Sequence, residues 1–228
     1  MAEFVETLII GASCYGCGIA SHRPDSLILE STIQPGAEFT LTGCPTKNMS
    51  APLKYAESLA IRQELEQRKV IENGFLHNGA LAPVFMKWCL KKKLRLRLNA
   101  HVIRRNGSKV MVMEADGVRE YVAGKIIDAM PEKREVKFLY SYVFGGVPRI
   151  YDGIELLETI SPEHCLLRQK LSGSTGYVEA RQALFEFWRK RPGELREATL
   201  MWSSSRFSFD TVDNPVSALD RGMERGEA

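Results

Sequence analysis

Gly11, Ser13 and Gly16 stand at the three positions of a G-x-G-x-x-G turn, and Glu30 follows Gly11 by 19 positions. These residue types at this spacing suit the holding of a dinucleotide. The first glycine permits a tight turn, the second lets the backbone approach a pyrophosphate, and the third lets a helix sit close on a strand. An acid about 20 residues further on meets a ribose hydroxyl. Ser13 departs from the pattern at the phosphate-facing position. A strand-to-helix turn without a ligand is the plainer alternative, and the acid at Glu30 weighs against it.

The elements that must position these residues are legible around them. Val5, Leu8, Ile9 and Ile10 form the near-continuous apolar run of a parallel strand buried on both faces, and Gly11 ends it. Leu27, Ile28 and Leu29 form a second such run closed by Glu30, and Pro24 keeps the helix between them short. The small apolar residues 8 to 20 could be mistaken for a secretory leader. Glu3 and Glu6 occupy the place of a positive flank, however, and no Lys or Arg precedes Arg23. No apolar run approaches the 18 or so residues of a membrane helix. The chain is therefore expected to be soluble and cytoplasmic, with no membrane partner.

At 228 residues the chain is long enough for one large domain or two small ones. Its 31 basic and 28 acidic residues leave a net charge of +3, too balanced to imply a nucleic-acid partner. The basic run Lys91 to Arg97 has leucines at positions 94, 96 and 98 alternating with Arg95 and Arg97, which describes a strand with one solvated face. Five cysteines, an odd number, are expected to be mostly reduced thiols. Cys14 and Cys17 form a C-x-x-C, read here as small fillers of the phosphate turn rather than a dithiol. Four scattered histidines show no metal-ligand spacing.

Further along, Ser50 is expected to cap a helix with Pro52 in its first turn, running to about Lys69. Leu81, Val84, Phe85 and Trp88 predict a second helix over residues 80 to 91. Short strands are expected over 94 to 98, 100 to 105, 109 to 114 and 118 to 123, turning at Asn106-Gly107 and Asp116-Gly117. Ile126 to Ala129 then read as a separate strand end before Met130 and Pro131. Strands at 136 to 144 and 164 to 171 and a helix from Tyr177 to near Pro192 follow. At the end of the chain Asp213 or Asn214 can cap a helix with Pro215 at its first position and Val216, Leu219 and Met223 on one face.

This order of glycine turn, acid-ended strand, helices, hairpin and IIDAMP, closed by a polar loop leading through Asn214-Pro215 into a helix, resembles the FAD-dependent oxidoreductases with a glutathione-reductase-type fold. The resemblance implies an α/β chain: a Rossmann-like FAD-binding domain with a β-hairpin insertion and a small, reduced second α+β region. Residues 1–131 would form the FAD-binding part, 132–202 the reduced substrate or interface region, and 203–228 a segment returning to the first domain. Met130 and Pro131 stand where the family has Thr and Gly.

Carried over by position, Gly11, Ala12, Ser13, Cys14 and Gly16 would surround the pyrophosphate of FAD. Glu30 and Ser31 would lie at the ribose, and Val102 at the adenine. Thr42 and Gly43 belong to a loop similar to the family's glycine- and threonine-containing segment, and Asn214, Pro215 and Val216 would line the flavin end. TGCPTK resembles the second redox-cysteine stretch of disulfide reductases, but Phe39 stands where the first cysteine would be, so no dithiol relay is expected. The expectation is an FAD-binding oxidoreductase component acting on a small molecule, one subunit of a hetero-complex whose partner completes the substrate or electron-transfer site. No catalytic residue and no metal ligand is assigned. A structural subunit with an impaired cofactor site and an NAD-binding oxidoreductase remain the alternatives.

Overall fold

The computed structural model describes residues 2–130, 135–210 and 214–228. Pro131 and Asp213, both singled out above, lie outside the described residues. Strand β1 (Glu3–Ile10) leads through Gly11, whose φ of 102° only glycine adopts without strain, into helix α1 (Cys14–Ser21) and strand β2 (Ser26–Glu30). A one-turn helix α2 (Ala37–Thr40) follows, then helix α3 (Ala56–Gln67). Next come the short pair β3 (Ile71–Glu72) and β4 (Phe75–Leu76) and helix α4 (Asn78–Lys91). Helix α3 starts later than expected. It is preceded by Tyr55 with no side-chain cap, and Ser50 lies in a turn outside it. Asp220 instead accepts the Lys54 and Tyr55 N–H groups ahead of the helix, each at 3.0 Å, a partner 165 residues away that local spacing could not reveal.

Strands β5 (Arg95–Leu98), β6 (His101–Asn106), β7 (Lys109–Glu114) and β8 (Gly117–Asp128) complete a six-stranded sheet in the order β5-β2-β1-β8-β7-β6. In β5 the arginines are exposed and the leucines partly buried, the alternation expected of an edge strand. The two runs read separately, 118 to 123 and 126 onward, are one strand. The first part of β8 pairs antiparallel with β7 and the second runs parallel to β1. Tyr121 and Val122 pair with both neighbours, and just beyond them, at Gly124, a Cβ would come within 2.9 Å of the Glu6 carbonyl.

Both faces of the parallel strands are covered, which is why their sequences read as unbroken apolar runs. On one face Val5, Leu8, Leu27 and Leu29 meet Val110, Val112 and Tyr121 of the hairpin region. On the other Ile9 and Ile28 meet Ile19, Phe85 and Leu219 from the helices. Each fully buried leucine or isoleucine here stabilises the fold by about 1.5–3 kcal/mol.

A second, five-stranded antiparallel sheet contains β9 (Val136–Phe144), β10 (Arg149–Tyr151), β11 (Ile154–Glu158), β12 (His164–Ser172) and β13 (Thr199–Ser203), in the order β10-β11-β12-β9-β13. Helix α5 (Tyr177–Arg189) lies between β12 and β13 in the chain and buries Ala180 and Leu184 against Leu139, Val143 and Leu167. The opposite face turns Tyr140 and Leu166 into the core that also holds α1. After β13 the chain folds back beside β9, with Ser208 and Phe138 exchanging backbone hydrogen bonds of 2.8 and 2.9 Å.

The chain closes with helix α6 (Pro215–Glu227), capped by Asn214, whose side chain accepts the Ser217 N–H at 2.7 Å. Glycines let α6 lie directly on α1. A Cβ at Gly222 would stand 2.1 Å from the Tyr15 carbonyl oxygen, and one at Gly18 would stand 2.2 Å from that of Leu219. Gly222→Ala is therefore expected to lower the unfolding free energy by about 1–3 kcal/mol. Gly193→Ala, where a Cβ meets nothing within 4 Å, should stay within about 0.5 kcal/mol of the parent. Urea denaturation of the two variants checks both.

Candidate functional site

The first four N–H groups of a helix have no partner within it. In α1 those of Cys14 and Gly16 meet side-chain acceptors. Ser13 caps the helix in extended conformation: its Oγ accepts the Gly16 N–H at 3.0 Å and donates to the Ala129 carbonyl at 2.7 Å. Its carbonyl accepts the Cys17 N–H at 2.9 Å. The Cys14 N–H goes to a side chain not singled out above, donating to Glu38 Oε1 at 2.6 Å. Glu38 reaches it because the Gly36 N–H donates to the Ala12 carbonyl at 2.8 Å, which sets the start of α2 against the turn.

Glu30, buried at the end of β2, grips the same turn from the other side. Its two carboxylate oxygens accept the Ala12 and Thr32 N–H groups, each at 2.8 Å. The next strand enters beside it, with Ala100 N–H donating to the Glu30 carbonyl and Asn99 N–H to that of Thr32. This brings the start of β6 to the carboxyl edge of β2, although Val102 itself is exposed and does not line the cavity that opens there.

A cavity of about 460 Å³ opens at this edge, within the ~300–1,000 Å³ range of small-molecule sites. Of the residues expected at a cofactor, Ser13, Glu30 and Thr42 line it. Gly11, Ala12, Cys14 and Gly16 form the turn behind it, Ser31 receives a 3.5 Å hydrogen bond from Arg206, and Gly43 lies under the Trp202 ring. Asn214, Pro215 and Val216 are buried beside the loop at Lys47 and Asn48 and do not line it. Met130 does line it, and its sulfur lies over Gly11, 2.8 Å from where a Cβ would stand.

The far wall comes from the return segment after β13, through Arg206, Phe207, Ser208, Phe209 and Asp210. Asp210 joins this segment to the Cys44 loop and to the second sheet. It accepts Tyr140 OH at 2.8 and 2.9 Å, Ser208 Oγ at 3.0 Å and the Cys44 thiol at 3.2 Å. Its own φ of 48° is a left-handed conformation that Asp tolerates better than most residues. Burial, then the Asp210 charge, hold the Cys44 thiol well above its ordinary range, so it is a hydrogen-bond donor and not a thiolate. Burial likewise pushes up the Cys14 and Cys17 thiols.

Among the described residues lining the cavity, Arg206 is the single cation, against Glu30, Glu38, Asp128 and Asp210. Burial pushes the Glu38 carboxyl up to about 7, partly offset by the Cys14 N–H. Sequence reading missed Glu38, Asp210 and Arg206. Glu38 had one local signal, an acid two residues beyond the Pro35-Gly36 turn, in the loop leaving the carboxyl end of β2. The other two belong to a segment brought here only by pairing with β9.

No family model matches the chain, and no curated protein matches it by sequence. Solved structures do match it in fold. The p-nitrophenol 4-monooxygenase PnpA from Pseudomonas putida DLL-E4 is 12% identical with a TM-score of 0.55, over 99% of this chain and 78% of that one. A geranylgeranyl bacteriochlorophyll reductase-like protein from Thermoplasma acidophilum is 11% identical with a TM-score of 0.54, over 100% and 78%. The myxobacterial chondrochloren halogenase CndH, a variant of FAD-dependent halogenases, is 15% identical with a TM-score of 0.53, over 87% and 61%. The mixed α/β architecture with its parallel sheet is that of these proteins.

Glu38 makes stability depend on pH with a definite sign. Its folded pKa of about 7 lies above the ordinary 4.5, so the folded protein binds more protons between those values. Stability from this group should fall as pH rises from about 4.5 to 7 and level off above. Glu38→Gln should flatten that part of the curve, measured by urea denaturation across the range. All five cysteines are free and buried, so a thiol reagent should label none quickly in the native protein and five after unfolding.

Proposed function

We propose that this chain is an FAD-binding oxidoreductase component of the glutathione-reductase-type family, with its cofactor diphosphate at the amino end of α1. The observation that carries the reading is the Glu38 oxygen 2.6 Å from the Cys14 N–H. It marks a position where the turn offers an N–H to a carboxyl oxygen, in front of a cavity large enough for a ligand.

The residues present fit the group on further grounds. Gly11 and Gly16 keep the turn close, since a Cβ on Gly16 would stand 2.3 Å from the Gly11 carbonyl oxygen. Glu30 is the acid at the strand end where a ribose is held, and Arg206 offers a cation to the diphosphate. The likeness in fold to an FAD-dependent halogenase supports the same reading.

When bound, the flavin supplies the hydride chemistry, and the protein supplies orientation and electrostatics. Within the chain Ser13 and Ala12 hold the turn, and Glu30 would orient the ribose. Tyr140 and Cys44 hold Asp210 in place through donated hydrogens. Exposed Phe144, Met201 and Trp202 leave an apolar surface on β9 and β13, next to the loop at Gly43. That surface would suit a second polypeptide completing the substrate or electron-transfer site.

A second reading, a structural subunit without cofactor, is favoured by one observation: Ser13 and Glu38 already satisfy the Gly16 and Cys14 N–H groups. Titration with FAD separates the two. The flavin reading expects saturable quenching of flavin fluorescence and a visible flavin spectrum retained after gel filtration, and an unchanged flavin signal supports the scaffold. Arg206→Ala is expected to weaken FAD binding about tenfold, corresponding to ~1.4 kcal/mol for one charge-assisted contact.

A further inference from the structure

We propose that Glu38 sets the affinity of the α1 cradle: a built-in carboxylate that an incoming diphosphate displaces from the Cys14 amide, so that binding takes up a proton. The inference rests on the flavin reading of the same site and adds how its affinity is set.

Geometry requires the competition. Glu38 Oε1 lies 2.6 Å from the Cys14 nitrogen and lines the cavity, so a phosphate oxygen at that amide needs the place the carboxylate holds. Two neighbouring amides of the cradle are already engaged. Gly16 N–H is taken by Ser13 Oγ, and Ala12 N–H by Glu30. An ionised Glu38 left beside a diphosphate would add like charges at close range in a poorly solvated site.

The charges facing Glu38 make protonation the easier outcome. From α1 come the Cys14 N–H and thiol, with the Cys17 thiol behind, and from β2 the Glu30 carboxylate. Across the cavity stand acidic Asp128 and Asp210, with Arg206 as the counter-charge. Desolvation pushes this partly buried carboxyl up to about 7. A diphosphate, which keeps its own charge constant near neutral pH, would raise it further. A neutral Glu38 can then swing aside or donate a hydrogen bond to the phosphate.

The test is FAD affinity by flavin fluorescence from pH 6 to 8.5, with proton uptake from calorimetry in buffers of different ionisation enthalpy. The parent protein should lose affinity as pH rises above about 7, approaching tenfold per pH unit. It should also take up close to one proton per FAD at pH 8. Glu38→Gln, nearly isosteric and uncharged, should bind about tenfold or more tightly than the parent at pH 8, with neither slope nor uptake. Glu38→Ala, which vacates the amide, should share the loss of slope and serves if the glutamine variant folds poorly by circular dichroism. FAD binding that is pH-independent and unchanged in both variants overturns the inference while leaving the flavin reading intact. No binding by the parent or either variant at any pH overturns the flavin reading, and this inference with it.

Discussion

The amino end of α1 carries backbone N–H groups that the helix itself cannot satisfy, and the surrounding structure is arranged around their partners. Ser13, Glu30 and Glu38 each supply an acceptor to the turn or the first helical residues. These three side chains come from the turn itself, from the end of β2 and from α2. An unmet buried N–H costs about 1–3 kcal/mol, so the three segments are held together by a shared electrostatic need as well as by apolar contact. The same need makes the place attractive to an anion from outside.

Close approach of α6 to α1 serves that arrangement from behind. Gly18 and Gly222 bring the two helix backbones together with no room for a side chain. Asp220 on the same helix holds the entry to α3 through the Lys54 and Tyr55 amides. The carboxyl end of the chain thus supports the turn without lining its cavity. What lines the cavity is the segment just before it, laid along β9 by the Phe138 and Ser208 pairing and tied down at Asp210. The second sheet therefore contributes through its backbone edge, buried Tyr140 and Arg168, whose guanidinium lies 3.8 Å from Asp210.

A cavity edged by four carboxylates and one arginine is an uncommon place for a diphosphate, and the physics explains how both can be true. Glu30 is committed to two amides and Asp210 to three donors, so each is offset where it stands. Glu38 has the Cys14 amide as its hydrogen-bond partner and is held where burial favours its neutral form. Charge that can be removed by a proton is a softer obstacle than charge that cannot.

Much of the first half of the chain was legible in order. Unbroken apolar runs ended by Gly11 and Glu30 defined two parallel strands, because strands covered on both faces leave no polar alternation. Asn106-Gly107 and Asp116-Gly117 located the hairpin turns, and Asn214-Pro215 the start of α6, since these depend on residues a few positions apart. Tertiary structure alone decided the start of α3, set by Asp220 from the far end of the chain, and the continuity of β8, which changes partner midway. It also decided the acid at the mouth of α1 and the wall built from residues 206 to 210. Those features are contacts between segments whose separation in sequence carries no periodic mark, so only the packed chain could bring them together.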